Sequence, residues 1–357
     1  MTIVDQTYEF VIGVDTHAAS HTYAILNAAT GSPVAAPEAF PTTRAGLDRA
    51  LAWAGRRTGG NLNTLWVIEC IATHGAALAR IVAKAGYEVV EAPQMAARGH
   101  RGAGKSDPLD AARIAKAALS VELDKLRHPR SDQGIRAALR VLVAARDQMS
   151  TERTANINAL TALVRNTDLG IDARRALSAQ QISEISKWRT RDEDVAAATA
   201  RAEAIRLAKR IAALNNELAD NKATMTTLLA ASPARVLLSK KGIGPVTAAA
   251  VLTAWSHLGR IHDEAGFARI AGVNPIEASS GNTTRHRLNR GGDRRLNRAL
   301  HVIAMVRMIH DPATRAYAER RRAEGRTDRE IRRCLKRYLA RQLYRALNTA
   351  YAQPQTT

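Results

Sequence analysis

The chain has little cysteine, few aromatic residues and no long apolar run, and each shortage removes a class of protein. Its 357 residues include two cysteines, Cys70 and Cys334. They are too few for a disulfide framework or an all-cysteine zinc site, and no C-x-x-C pair suggests a zinc finger, so the chain reads as cytosolic. Phe, Trp and Tyr together make up 4%, which argues against a binding surface built mainly of stacking platforms. No apolar stretch approaches the ~20 residues that a membrane span needs. The first nine residues carry acids and no basic n-region, so no signal peptide is visible. Acidic residues are also short. Against 53 Lys+Arg stand 33 Asp+Glu, a formal net charge of +20. A charge of this size says nothing about fold, but it marks a polyanion as the preferred partner. Hydrophobic residues make up 46%, so a disordered basic tail is not the whole story and a sizeable core is within reach.

Two short apolar runs, Phe10–Val14 and Tyr23–Leu26, are joined by a polar turn and read as a hairpin whose first strand is fully buried. A third strand is expected around Val34–Phe40. In Arg44–Arg56, Leu47, Leu51 and Ala54 share one helical face. Leu65–Cys70 reads as a buried strand, Ala76–Ala85 as a helix stopped by Gly86, and Tyr87–Ala92 as a strand stopped by Pro93. This order predicts an α/β domain, a mixed sheet with helices packed on it. Gln94–Ser106 is Gly-rich and basic and reads as a surface loop. A helix starts near Asp107, with Pro108 in its first turn. Ile135–Val164 has no helix breaker, and Asp192–Ala231 carries Ala204, Leu207, Ile211, Leu214 and Leu218 at three-to-four spacing. These two long helices predict an antiparallel coiled-coil arm suited to self-association. The remainder to Asn348 reads as mainly α-helical, and Arg315–Arg345 as one basic amphipathic helix with 12 Arg+Lys against 4 acids. The expected divisions fall at 1–128, 129–232, 233–312 and 313–357, the last being a basic helical extension.

The acids carry the first chemical signal. Asp15 falls at the end of the first buried strand and Glu69 at the end of Leu65–Cys70, while Asp107 and Asp110 share a helix face. A carboxylate at the end of an apolar strand needs a partner. A divalent cation such as Mg²⁺ (or Mn²⁺) is an economical one, because it takes oxygen ligands and leaves positions for water and phosphate. Two such ions about 4 Å apart activate a nucleophile and stabilise a leaving oxygen in phosphoryl transfer. Singly, each acid has a plainer role as a turn, cap or first-turn residue. Actin-like phosphotransferases open similarly, but Asp15 is followed by Thr-His-Ala-Ala-Ser without glycine, which leaves no backbone cradle for ATP phosphates.

The segments Gly13–His21 (GVDTHAASH), Ile68–Gly75 (IECIATHG) and Lys105–Ala111 (KSDPLDA) resemble the IS110/IS1111-type, or DEDD, transposases, the bridge-RNA-guided recombinases. The resemblance implies a RuvC/RNase H-like first domain with Asp15, Glu69, Asp107 and Asp110 as the acidic quartet. The family often shows Glu-x-Thr-Gly after its strand, and here Glu69 is followed by Cys-Ile-Ala-Thr-His-Gly.

Two later segments add to this. Gly242-Ile-Gly244 between helices reads as the hairpin of a helix-hairpin-helix element, whose glycines let backbone approach phosphate. It also matches the family's C-terminal transposase domain. In Ala271–Leu300 a Ser-Ser-Gly loop precedes Arg285, Arg287, Arg290, Arg294, Arg295 and Arg298. Read from the residues alone, Ser279 and Ser280 are loop and cap residues. The resemblance implies that the serine before the glycine, Ser280, is a nucleophile forming a phosphoserine with DNA, and Gly291–Asp293 resembles the family's Gly-Asn/Asp turn. Lys105, Gly242, Gly244 and the six arginines are the expected nucleic-acid contacts. His17, His21 and His74 near the acids, and His286 among the arginines, are weaker candidates. The resemblance further implies donor and target DNA as partners, a structured guide RNA, and action as a dimer or tetramer in the bacterial cytosol. Two rivals remain: a metal-dependent structure-specific nuclease using water attack, and a non-enzymatic architectural binder.

Overall fold

A computed structural model describes residues 2–93, 106–130, 133–279, 283 and 286–353. The chain divides into two compact units, Met1–Arg130 and Ser131–Thr357. The first contains α1 (Val4–Thr7), β1 (Phe10–Thr16), β2 (Ser20–Asn27), β3 (Glu38–Pro41), α2 (Arg44–Thr58), β4 (Thr64–Ile68), α3 (Ala76–Lys84), β5 (Glu88–Glu91) and α4 (Asp107–Leu119). Its sheet has the order β3-β2-β1-β4-β5. β1 pairs antiparallel with β2 and parallel with β4, and β4 pairs parallel with β5. This is the mixed sheet expected from the sequence and the arrangement of a RuvC/RNase H-like domain. The third strand is shorter and later than Val34–Phe40 predicts. Pro33 and Pro37 have no N–H to give a ladder; an isolated bridge of Pro33 to Leu26, with Val34 N donating to Ile25 O, precedes the continuous pairing with β2 that begins at Glu38. Asp15 stands at the end of β1 as expected, the strand running one residue further to Thr16.

Strand alternation sorts the side chains. Ile12, Val14, Tyr23, Trp66 and Ile68 enter one core beneath α2 and α3. Val11, Leu65, Val67 and Val90 enter the opposite core beneath α4, with Ile114, Ala115 and Ala118. Each fully buried aliphatic side chain contributes about 1.5–3 kcal/mol, so both faces fasten their helices. By the same alternation Asp15 and Glu69 belong to the α4 face.

The second unit contains α5 (Gly134–Asn166), α6 (Ala179–Ser186), α7 (Val195–Ala230), α8 (Pro245–Trp255), α9 (Glu264–Ile270), β6 (Pro275–Glu277), β7 (His286–Leu288), α10 (Arg294–His310), α11 (Pro312–Ala323) and α12 (Asp328–Ala352). At 33 residues, α5 is about 50 Å long. α7 runs antiparallel to it: Asn221 donates to Leu142 O, Arg146 to Leu218 O, and Arg153 to Asn215. One end of the pair packs with α6 through Leu160, Ile185, Ala204 and Ile211. The other end joins a core of Trp255, Phe267, Leu300 and Leu343.

The unit is mainly α-helical, as expected, and within the segment after α9 β6 and β7 pair antiparallel as a short ribbon. One expectation needs correction. The basic stretch from Arg315 is not one helix. Gly325 adopts φ +77°, which ends α11, and the Thr327–Glu330 capping box starts α12. Leu339, Leu343 and Leu347 of α12 lie in the same core as Trp255.

A Cβ at Gly13 would lie 2.1 Å from the Ala111 carbonyl oxygen and 2.5 Å from the Ala115 nitrogen. Gly13→Ala is therefore expected to destabilise the first unit by about 2–3 kcal/mol. At Gly55, inside α2, a Cβ meets nothing within 4 Å, and Gly55→Ala is expected to stabilise by about 0.5–1 kcal/mol. Urea unfolding of the two variants checks both signs.

Candidate nuclease-type acidic site

The acidic site forms where β1 and β4 end beneath the first turn of α4. Glu69 N donates to Val14 O at 3.1 Å, and Thr16 Oγ1 donates to Glu69 O at 3.1 Å. These two bonds tie the strand ends together and fix the level at which Glu69 leaves the sheet. Cys70 then turns sharply with φ +45°, a conformation that costs a non-glycine residue energy and is found where a chain is over-determined by its surroundings. Gly75 N and Thr73 Oγ1 both donate to Cys70 O, and a Cβ at Gly75 would lie 2.7 Å from Ile68 Cγ2. The tight turn behind Glu69 thus differs in sequence from the family's usual pattern and is built by local hydrogen bonds.

Asp15 is buried, 6% exposed, whereas Asp107 is exposed at the start of α4. His17 bridges them. Its Nε2 lies 3.2 Å from Asp15 Oδ2 and 3.6 Å from Asp107 Oδ1. Asp15, His17 and Asp107 can each offer a ligand atom within 4.8 Å of the others. Asp110 sits one turn on and is ion-paired with Arg113 at 2.9 Å. Burial pushes the Glu69 carboxyl above the usual carboxylate range, and the charges of Asp15 and Asp110 push it further, against a smaller opposing effect of His17. The four sequence-predicted acids lie close together: Glu69 is within side-chain hydrogen-bond reach of Asp15 and feels the charge of Asp110, while Asp15 and Asp107 are joined through His17. Arg113 was missed in the sequence, although the Asp110-x-x-Arg113 spacing is an ion-pair spacing on a helix. His74 is exposed. His21 is buried at 1% exposure and projects from β2 toward Tyr23, on the face opposite the acids. Burial lowers its pKa.

In the second unit, Gly242 adopts φ +77°, and a Cβ there would meet Arg307 Cγ at 3.1 Å. Gly244 is the N-cap of α8. Its N–H donates to Thr247 Oγ1 at 3.1 Å, so this donor is already engaged. Arg287 lies on exposed β7, and Arg290 and Arg294 are exposed around the start of α10. Arg295 and Arg298 both reach Asp147 of α5, at 2.5 and 3.4 Å. Ser279 is exposed after β6, and His286 is exposed on β7. Ser280, Lys105 and Arg285 lie outside the described residues.

An acidic cleft at the edge of an RNase H-like sheet, followed by an arginine-rich helical unit, is the constitution of a DNA-cutting and rejoining transposase. A family model of IS110-type DEDD transposases matches residues 12–167, and one described as the transposase IS116/IS110/IS902 family matches residues 234–319. The chain is 30% identical over 314 residues to an uncharacterised 42 kDa protein of insertion element IS900 from Mycobacterium paratuberculosis, covering 73% of this chain and 77% of that protein. It is 36% identical over 123 residues to a 43.6 kDa protein of insertion element IS110 from Streptomyces coelicolor, covering 34% of this chain and 30% of that protein. The chain belongs to the IS116/IS110/IS902 transposase family. Membership implies use of a divalent metal ion, and the donor set fits one: carboxylate oxygens and an imidazole, with Asp15 buried and requiring a cationic partner. Among the described residues no helix is long and apolar enough to cross a membrane.

The raised Glu69 carboxyl gives a test. An acid whose folded pKa lies above its unfolded value destabilises the fold once pH exceeds the unfolded value. Glu69→Gln is therefore expected to stabilise metal-free protein at pH 7 by less than about 1 kcal/mol, because the group is partly solvated, and to raise its Tm accordingly. The gain is expected to shrink as pH falls toward the ordinary carboxylate range. Calorimetric scans across pH check the sign.

Proposed function

We propose that Asp15, Glu69, Asp107 and Asp110 form the metal-binding catalytic centre and that Ser280 is the nucleophile of strand cleavage. The observation that carries the acid assignment is the approach of Asp15 and Asp107 around His17, with Glu69 raised by its acidic neighbours. Magnesium, or manganese in its place, supplies charge neutralisation at the reacting phosphate. The carboxylates of Asp15, Glu69, Asp107 and Asp110 would hold it, with Asp15 and Asp107 on either side of His17 and Glu69 beside Asp15. Arg113 holds the Asp110 carboxylate toward its own helix and acts as a positioning residue.

The Ser280 Oγ bonds to phosphorus and one phosphodiester P–O bond breaks. The serine proton passes to a base, and the departing oxygen leaves as a hydroxyl. Attack by a DNA hydroxyl on the phosphoserine reverses these changes and rejoins the strand. Cations suit the developing charge, and Arg290 and Arg294 are exposed without an ion-pair partner among the described residues. Donor and target DNA are the substrates, in the bacterial cytosol. The family resemblance supports an element-encoded guide RNA, with base pairing selecting sequence and protein reading backbone, and the +20 charge suits either nucleic acid. The antiparallel α5–α7 pair supports assembly as a dimer or tetramer.

The test is trapping on denaturing gels, with protein, Mg²⁺, element-end RNA and labelled DNA. A protein–DNA band lost in Ser280→Ala and in Asp15→Asn is expected. Free cleaved DNA without an adduct, unaffected by Ser280→Ala and abolished by Asp15→Asn, would instead identify a water-attack nuclease. Cleavage that survives Asp15→Asn would remove the acids from the mechanism.

A further inference from the structure

Between α10 and α12, against the Asn289–Asp293 turn, lies a cavity of about 410 Å³. Its wall carries Arg290, Arg294, Arg298, His301 and Lys336. Lys336 is partly buried, and burial alone lowers its pKa. Among the described residues it has no ion-pair partner, and its one hydrogen bond goes from Nζ to Asn297 Oδ1 at 2.6 Å. Arg290 and Arg294 have no ion-pair partner among the described residues either, and Arg298 has only the 3.4 Å contact with Asp147. The single carboxylate in the wall, Asp293, is committed to capping α10 through Arg295 N and Leu296 N. His301 is pushed toward its neutral form by burial and then by the charges of Lys336 and Arg332.

A desolvated cation without a counter-ion is costly. Here the partly buried Lys336 and the exposed Arg290, Arg294 and Arg298 converge on one concavity that is large enough for a phosphate group and open to solvent at the arginines. The turn beneath it is rigid. Gly292 has φ +98° and a Cβ there would lie 2.5 Å from Ile270 O, and Asp293 N donates to that same carbonyl at 2.7 Å. Asn297 Nδ2 donates to Ala271 O at 2.7 Å. Lys336 is therefore held at a fixed point relative to α9 and to the ribbon that follows it.

We propose that this cavity is a phosphate pocket holding one backbone phosphodiester of the bound nucleic acid, with Lys336 as its partly buried cation and Arg290 and Arg294 at its mouth. The inference rests on the reading that this unit engages nucleic acid, and it adds Lys336 and His301 to the contact surface. The pocket grips a single phosphate at a defined depth, which a flat arginine patch does not, and so sets the register of the strand against the β6–β7 ribbon. A neutral His301 is suited to donate a hydrogen bond to the phosphate without adding another buried charge.

The experiment is fluorescence anisotropy of a labelled DNA duplex with the full-length protein across a KCl series. Each phosphate contact contributes a slope of about 0.9 in log Kobs against log[KCl]. Lys336→Gln is expected to lower the slope by about one contact and to weaken binding several-fold, equally for unrelated sequences, while Lys336→Arg restores most of it. Arg294→Gln, at an exposed position, is expected to reproduce the loss of slope and covers the case in which Lys336→Gln fails to fold. An unchanged slope in both Gln variants, with a lowered Tm for Lys336→Gln, would reduce Lys336 to a support for Asn297 and overturn the pocket. So would Lys336-dependent binding of inorganic phosphate by calorimetry with no effect on the duplex. A wild-type protein that does not bind duplex at low salt would defeat the nucleic-acid reading of the unit, and the pocket with it.

Discussion

Helix α4 lies so close to β1 that position 13 has room only for hydrogen. A Cβ there would lie 2.1 Å from one α4 carbonyl oxygen and 2.5 Å from an α4 nitrogen. That approach fixes the height of the α4 N-terminus over the strand ends, and with it the placement of Asp107 and Asp110 relative to Asp15 and Glu69. Ala111 and Ala115, both fully buried, keep the helix low on its other contacts. A larger pair of residues there would lift α4 away from the strand ends, opening the distance from His17, which follows β1, to Asp107 and separating the α4 acids from Asp15 and Glu69. The acidic cleft is thus a consequence of small residues facing one another across a helix–strand contact.

The second unit uses the opposite chemistry. Its cations are partly consumed internally: Arg210 joins α7 to Glu152 of α5, Arg295 and Arg298 share Asp147, and Arg341 and Arg345 share Glu264. Most are solvent-exposed pairs that contribute little stability. Among the described residues, Arg290 and Arg294 at the Asn289–Asp293 turn are exposed and have no ion-pair partner. These are the cations that the proposed nucleic-acid surface would use.

Much of this was legible in the sequence. The buried runs around Val14 and Ile68 gave the two central strands because β-branched and aromatic residues crowd there, and Pro108 marked the start of α4 because proline is tolerated only in a first turn. The long helices were visible in their spacing. Other features were hidden. The β6–β7 ribbon consists of three-residue strands, too short for a period to register. Gly325 is a single small residue inside a basic run, and only its φ of +77° shows that a helix ends there. The Asp110–Arg113 pair and the Lys336–Asn297 bond depend on side-chain reach, and the latter joins residues 39 positions apart. His17 was visible as a candidate, but only the geometry shows that it stands between two acids.

The central claim is that Asp15 and Asp107 hold the divalent ion of the reaction. The most direct measurement is anomalous diffraction at the manganese edge from crystals of the full-length protein soaked in Mn²⁺, with Asp15→Asn soaked alongside. A peak bonded to the Asp15 and Asp107 carboxylates in the wild type, and lost in the variant, is the predicted result. A peak that forms without Asp15, or no peak at this site while Mn²⁺ supports strand cleavage in solution, would contradict it.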